Sequence, residues 1–171
     1  MKRMRSVLVA GITVLLMCSA QAQDFGFKGI GGKLGLVDPE ALSATVGFGA
    51  HADLGTIGKI VRLVPSLEYW SKDSFSQFSI NIDGRYYYSD GKIDPYVGAG
   101  LGLFFTSFDT DIELFGSSSN FSSSSTDLGL DFFGGLDIPI GKQWVFTGEV
   151  KYSWTELHSF RLTGGVMYYL K

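Results

Sequence analysis

The residues that most constrain this chain are its last twenty-eight, Trp144 to Lys171. Trp144, Phe146, Gly148, Val150, Tyr152 and Trp154 alternate with Val145, Thr147, Glu149, Lys151, Ser153 and Thr155. A period of two means a strand, because successive side chains point to opposite sides. After a break at Glu156–His158 the pattern resumes, with Phe160, Leu162, Gly164, Val166, Tyr168 and Leu170 set against Arg161, Thr163, Gly165, Met167, Tyr169 and Lys171. The result reads as a hairpin of two long strands, greasy on one face and small, polar or charged on the other. Trp144 and Trp154 share a face ten residues apart. At about 3.3 Å per residue and a tilt of about 40°, they stand roughly 25 Å apart along a barrel axis, the height of the apolar band between the aromatic girdles of a membrane barrel. An amphipathic hairpin in a soluble sheet is the plainer reading, but strands there are usually about five or six residues long.

The N-terminus reads as a targeting segment. Lys2, Arg3 and Arg5 precede an apolar run from Val7 to Met17, and Ala20-Gln21-Ala22 is a small-x-small cleavage site, so residues 1–22 are expected to be a signal peptide and 23–171 the mature domain. The apolar run is shorter than the roughly 20 residues of a spanning helix. Cys18 follows Met17, where a lipobox would place a small residue, so a lipid anchor is not favoured. Removing 1–22 leaves 11 Lys+Arg against 17 Asp+Glu, a formal charge of −6, and no cysteine. Nucleic-acid binding, which needs a basic face, and cysteine-based sites are thereby disfavoured. Charged residues are 18% of the chain, below the roughly 25% of soluble domains, while aromatics reach 15%. An exported chain of this kind, with no long apolar run beyond the signal, can span a membrane only as a closed barrel, since lipid offers the backbone no hydrogen-bond partners.

Read in order, the mature chain divides into eight strands. The first runs from Phe25 to Leu36, and a turn at Asp38-Pro39 leads to a second over Ala44–Asp53. The third covers Val61–Trp70, with Pro65 marking a bulge or a gap in the ladder because it lacks a donor. The fourth covers Phe78–Tyr88 and is followed by Ser89-Asp90-Gly91-Lys92, a hairpin signal. The fifth runs from Pro95 to about Ser107. Periodicity then stops, and Phe108–Thr126, acidic and then serine-rich, reads as one long mobile loop. The sixth strand covers Leu128–Ile138, and the hairpin already described completes the count. The expected fold is an all-β, eight-stranded antiparallel up-and-down transmembrane β-barrel. With a periplasmic N-terminus the long loop falls outside the cell. Tyr86, Tyr88, Trp144 and Tyr168 then gather at one rim, and Tyr69, Phe105, Trp154 and Phe160 at the other.

The second face carries Lys33, Arg62, Arg85, Lys151 and Arg161 together with Asp53, Glu68, Asp83, Asp131, Asp137 and Glu149. It must be the lumen, because Arg or Lys facing lipid at the midplane costs about 2–4 kcal/mol. An eight-stranded interior is nearly filled by its own side chains, so these groups are expected to pair into a plug, with glycines making room for the long arginines.

Pro95-Tyr96-Val97-Gly98-Ala99-Gly100-Leu101-Gly102, with the signal peptide, the glycine-rich first strand and the amphipathic last strand, resembles the porin-like outer-membrane β-barrel domain family, small barrels akin to the OmpA membrane domain. The resemblance covers the whole mature chain. It implies an outer-membrane location in a Gram-negative-type bacterium, surrounding lipid, passage through the barrel assembly machinery and a monomeric state. Members usually end on an aromatic residue, whereas this chain ends Tyr168-Tyr169-Leu170-Lys171.

Other chemistry is thinly represented. Gly98-x-Gly100-x-Gly102 lacks the helix that a phosphate loop requires. Asp109, Asp111 and Glu113 alternate and could face a hard cation, although a solvated acidic loop is the simpler reading. His158 beside Ser159 and Glu156, and His51 in mid-strand, do not form a triad in sequence, so no enzyme, cofactor or metal is expected. The expected role is structural, or display of the serine-rich loop. The alternatives are a narrow pore for small solutes or ions and a soluble, lipocalin-like ligand-binding barrel in the periplasm, which would carry its greasy face inside.

Overall fold

A computed structural model describes residues 24–170 apart from 41, 59, 89–90 and 115–116, with side chains described except at 24 and 109–122. The segment expected to be the signal peptide, and Lys171, lie outside the described residues. Eight strands follow in order: β1 (Asp24–Pro39), β2 (Thr45–Ile57), β3 (Val61–Lys72), β4 (Phe75–Tyr87), β5 (Asp94–Leu114), β6 (Ser117–Pro139), β7 (Trp144–Trp154) and β8 (Ser159–Tyr169). Each pairs antiparallel with its sequence neighbour, and β8 returns to β1 from Gly29↔Tyr169 to Pro39↔Ser159, closing the barrel. Closure leaves no free edge along the wall, which is what lets a sheet stand in hydrocarbon.

The alternation decides which side faces inward. Asp83, Asp131, Arg85, Lys151 and Arg161 are all at most 1% exposed, whereas Leu34, Leu101, Val150 and Leu162 lie on the outer surface. Ions inside and hydrocarbon outside is the reverse of a lipocalin, so the soluble ligand-binding reading is overturned.

Two local expectations meet a different outcome. Phe108–Thr126 is not a long loop: the β5–β6 ladder runs without a break from Asp94↔Asp137 to Leu114↔Ser117. The serine run lacks the apolar alternation by which a strand is recognised, and where its side chains are described, at positions 123–126, they are exposed. The link after β4 is also longer than a tight Asp-Gly turn, extending over Tyr88–Ile93 between the two strands. There Tyr88 N donates to the Pro95 carbonyl at 3.1 Å and Gly91 N to Asp94 Oδ1 at 2.6 Å. The two-residue hairpin lies instead at Asp73-Ser74, between Lys72↔Phe75, with Asp73 at φ 52°.

Pro65 pairs with Ile82 of β4 without interruption, and the irregularity falls on its other side, where the β2–β3 register shifts between His51 and Thr56. Four residues of β2, Ala52–Gly55, there oppose three of β3, Leu63–Pro65. Gly55 takes φ 80° and donates its amide to Asp53 Oδ1 at 2.7 Å, so the bulge satisfies a donor with a local carboxylate.

Candidate functional site

The barrel axis is occupied by a charged core built row by row from the inward-facing positions. Glu68 on β3 sits at its centre. It receives Lys33 Nζ from β1 at 2.6 Å, Lys151 Nζ from β7 at 3.4 Å, and the Arg161 guanidinium from β8. Lys151 also contacts Asp83 Oδ2 at 2.7 Å and Asp131 Oδ2 at 3.6 Å, and Ser153 Oγ donates to the other Asp131 oxygen at 2.6 Å. Lys33 reaches Glu149 Oε1 at 3.5 Å, whose second oxygen takes Arg85 Nη2 and the Tyr96 hydroxyl, each at 2.9 Å. Four cations, Lys33, Arg85, Lys151 and Arg161, thus interlock with four anions, Glu68, Asp83, Asp131 and Glu149. Such a group is tolerable in a dry interior because each charge has an opposite neighbour; stripping one partner from a buried pair costs about 3–5 kcal/mol.

A second group lies nearer the termini. Asp53 Oδ2 accepts the Tyr169 hydroxyl at 3.0 Å and lies 3.5 Å from Arg62 Nε, while Arg62 Nη1 donates to that same hydroxyl at 3.2 Å. Arg62 is the half-exposed member of the set. Asp137 accepts the Tyr87 hydroxyl and the Thr147 hydroxyl, each at 2.7 Å. Every residue assigned to the lumen by its register therefore lies in one of these two groups.

Trp70, Tyr87, Tyr96, Phe104, Phe133 and Tyr169 also occupy inward-facing positions of their strands. In the fold they are the packing around the ions. Arg62 lies over the Tyr87 ring at 4.6 Å, Arg85 over Tyr96 at 4.5 Å, Lys151 over Phe133 at 5.2 Å and Arg161 over Phe104 at 5.7 Å. Trp70 Nε1 donates to Gln77 Oε1 at 3.0 Å, and Arg161 Nη2 to the same oxygen at 3.2 Å. Val37 and Trp70 are the inward-facing apolar side chains buried toward the end away from the termini. The available signal was an aromatic residue recurring in the polar phase of a strand, which only makes sense if it points into the barrel.

The glycines of this face serve those rings more than the arginines. A Cβ at Gly98 would stand 2.3 Å from the Phe133 ring, and one at Gly135 2.6 Å from the Tyr96 hydroxyl oxygen. Beside Lys33, Glu68, Trp70 and Arg161 lies a cavity of about 10 Å³. That is room for one water at most.

The eight residues expected to form girdles lie on the outer face, seven of them at or near strand ends and Phe105 in the middle of β5, opposite Phe78 near the start of β4. Trp144 packs on Tyr168 at 4.9 Å and Tyr86 on Tyr88 at 5.5 Å near the termini, while Phe105 meets Phe78 at 6.1 Å and Tyr69 meets Phe48 at 5.5 Å at the opposite end. Trp154 and Phe160 flank the β7–β8 turn at that same end.

The family model described as "Outer membrane protein beta-barrel domain" matches residues 8–168, nearly the whole chain. The chain belongs to the outer-membrane β-barrel domain family. As an outer-membrane β-barrel, it shares its fold with several solved structures. Neisserial surface protein A (NspA) aligns with TM-score 0.64 at 21% identity, over 86% of this chain and 99% of that one. The N-terminal β-barrel domain of Pseudomonas aeruginosa OprF gives TM-score 0.58 at 15% identity, over 86% and 100%. Ail of Yersinia pestis, in complex with the heparin analogue sucrose octasulfate, gives TM-score 0.52 at 16% identity, over 86% and 99%. No curated protein matches this family member closely enough to count as a relative.

Among the described residues of the outer-membrane barrel, the two histidines lie apart in different surroundings. The His158 ring stacks on Tyr152 at 6.1 Å and its Nε2 lies 4.0 Å from Glu40 Oε2, while both ring nitrogens of His51 are buried without a hydrogen bond. Among the described residues no group of three His, Cys, Asp or Glu side chains is arranged to hold a metal ion. The side chains of Asp109, Asp111 and Glu113 lie outside the described ones.

Proposed function

We propose that this outer-membrane barrel is a non-enzymatic, monomeric anchor whose lumen is sealed and whose work is done by the β5–β6 hairpin at the end away from the termini. In this reading residues 1–22 are removed on export, the barrel assembly machinery inserts the chain, the termini face the periplasm, and the hairpin projects from the cell. The observation that carries it is the neutral cluster centred on Glu68, filling the axis beneath Trp70 and Phe104. A conducting path would have to separate those pairs, and the cavity beside them is too small for a file of waters.

The test is planar-bilayer recording of the refolded mature chain, with heat-modifiable gel migration showing that it is folded. Silence across the voltage range supports the anchor; steady ohmic current from folded protein overturns it in favour of a pore.

Electrostatics favour a cationic partner over a sulfated one such as the ligand solved with Ail. Asp38, Glu40, Asp73 and Glu156 are exposed at the far end, beside half-buried Asp127, against Lys72 at the end of β3.

A further inference from the structure

β6 outruns its neighbour. It pairs with β5 from Ser117 to Asp137, but β7 joins it only at Leu130↔Trp154, so the preceding stretch up to Gly129 is paired on one side alone. Near the wall, Thr155 covers the position of Gly129, its methyl 2.3 Å from where a Cβ would stand. Beyond it Ser123–Thr126 are exposed, and Leu128 is 73% exposed, the largest value among the exposed large hydrophobics. Of the six residues Ser123 to Leu128, paired with β5 on one side, every second one turns its backbone N–H and C=O toward the open edge. At about 3.3 Å per residue that row is roughly 20 Å long.

Natural proteins blunt such an edge with lysine, proline or a bulge, because an unpaired strand is a template for another. From Ser117 to Thr126 there is no Lys, Arg or Pro, and the β5–β6 register shows no shift. The surroundings of the edge are acidic: Asp38, Glu40, Asp73, Asp127 and Glu156 share this end.

We propose that the outer edge of β6, from Ser123 to Leu128, is a docking edge for an extended cationic polypeptide segment of another protein, taken up by strand addition. The proposal rests on the reading of this end as the exposed, working end of the barrel. Main-chain hydrogen bonds would supply affinity and the acidic rim would select and steer the partner. A second copy of the chain fits worse. Two barrels in one membrane stand the same way up, so their β6 edges run in the same direction, and they would bring two acidic rims within a Debye length of about 8–10 Å.

The probe is a short fluorescent peptide of alternating lysine and valine, titrated by anisotropy against the folded mature chain in detergent. Two controls accompany it: the same peptide with alternate amides N-methylated, and a glutamate–valine counterpart. The first keeps the charge and removes the donors of one edge; losing two or three hydrogen bonds should weaken binding by about tenfold or more. The glutamate peptide should not bind. S124K/T126K, which restores gatekeeper charges to the edge, should abolish binding of the lysine peptide while heat-modifiable migration stays unchanged. Equal affinity for the N-methylated peptide would reduce the effect to bulk charge and overturn the proposal. So would absence of binding, or a cross-linked dimer of the chain that S124K/T126K removes. Each of these can occur in a folded, non-conducting barrel, so failure here is distinguishable from failure of the anchor reading.

Discussion

Tyr169, on the last strand, donates its hydroxyl to Asp53 Oδ2, on the second, at 3.0 Å. The strand between them is β1, and at that row it offers Gly29, which pairs with Asp53 on one side and Tyr169 on the other. Without a side chain at Gly29, the tyrosine can cross inside the seam where the barrel closes; a Cβ there would stand 2.7 Å from the Tyr168 carbonyl oxygen and 3.2 Å from the Tyr169 ring. The contact therefore ties the closing strand to the β2–β3 hairpin rather than to its immediate neighbour alone, with Arg62 of β3 reaching the same hydroxyl.

Tyr169→Phe removes that hydroxyl and leaves Asp53 with the Gly55 amide and Arg62. It should cost about 1–3 kcal/mol, as expected when a buried hydrogen bond to a charged group is lost. Gly29→Val should cost more, because the added carbons collide with backbone. Urea titration in detergent micelles, followed by tryptophan fluorescence, ranks the two. Equal stability of Tyr169→Phe and wild type would show that the seam does not depend on this contact.

Lys151 is the cation placed between Asp83 and Asp131. Lys151→Met should lower stability by about 3–5 kcal/mol, since the carboxylates stay buried without it. Adding Asp83→Asn and Asp131→Asn should return part of that loss, although the single changes Asp83→Asn and Asp131→Asn are each expected to destabilise. Non-additivity in the same micelle titration is the readout; strict additivity would mean the three side chains do not act as one group.

Leu101 lies on the outer face of β5, 56% exposed. Leu101→Arg should destabilise the membrane-inserted barrel by about 2–4 kcal/mol. A cysteine at Leu101 or Val150, in a chain whose single native cysteine, Cys18, is changed to serine, should resist a membrane-impermeant maleimide in whole cells. Ready labelling there would contradict the orientation of the wall.

Phe108–Leu114 and Ser117–Thr126 are paired strand. Brief proteolysis of whole cells, with fragments identified by mass spectrometry, should leave the peptide bonds of those two segments largely uncut. Cleavage spread evenly across them would restore the loop that the serine-rich sequence suggests.

The barrel itself was legible in the sequence. Eight alternating segments, charges confined to one phase and aromatics at their ends are local properties of the chain. A period-two pattern of that length has few ways to bury its polar face other than to close around it. The charged residues could likewise be assigned to the lumen one by one, because alternation alone places Lys33, Glu68 and Arg161 on a shared side. What alternation cannot say is which row each residue occupies once the sheet has closed. That Lys33 of β1 reaches both Glu68 of β3 and Glu149 of β7, and that Tyr169 crosses Gly29 to find Asp53, depends on register and on the curvature that brings distant strands together across the axis. The same reason hid Phe104 beneath the Arg161 guanidinium and Trp70 beside Gln77. Likewise, the serine run contains no periodicity to betray a strand, since its pairing is made by the backbone of β5. Amphipathic alternation determined the wall and its orientation; only the closed tertiary structure decided which charges meet, which rings pack over them and where β6 runs past β7.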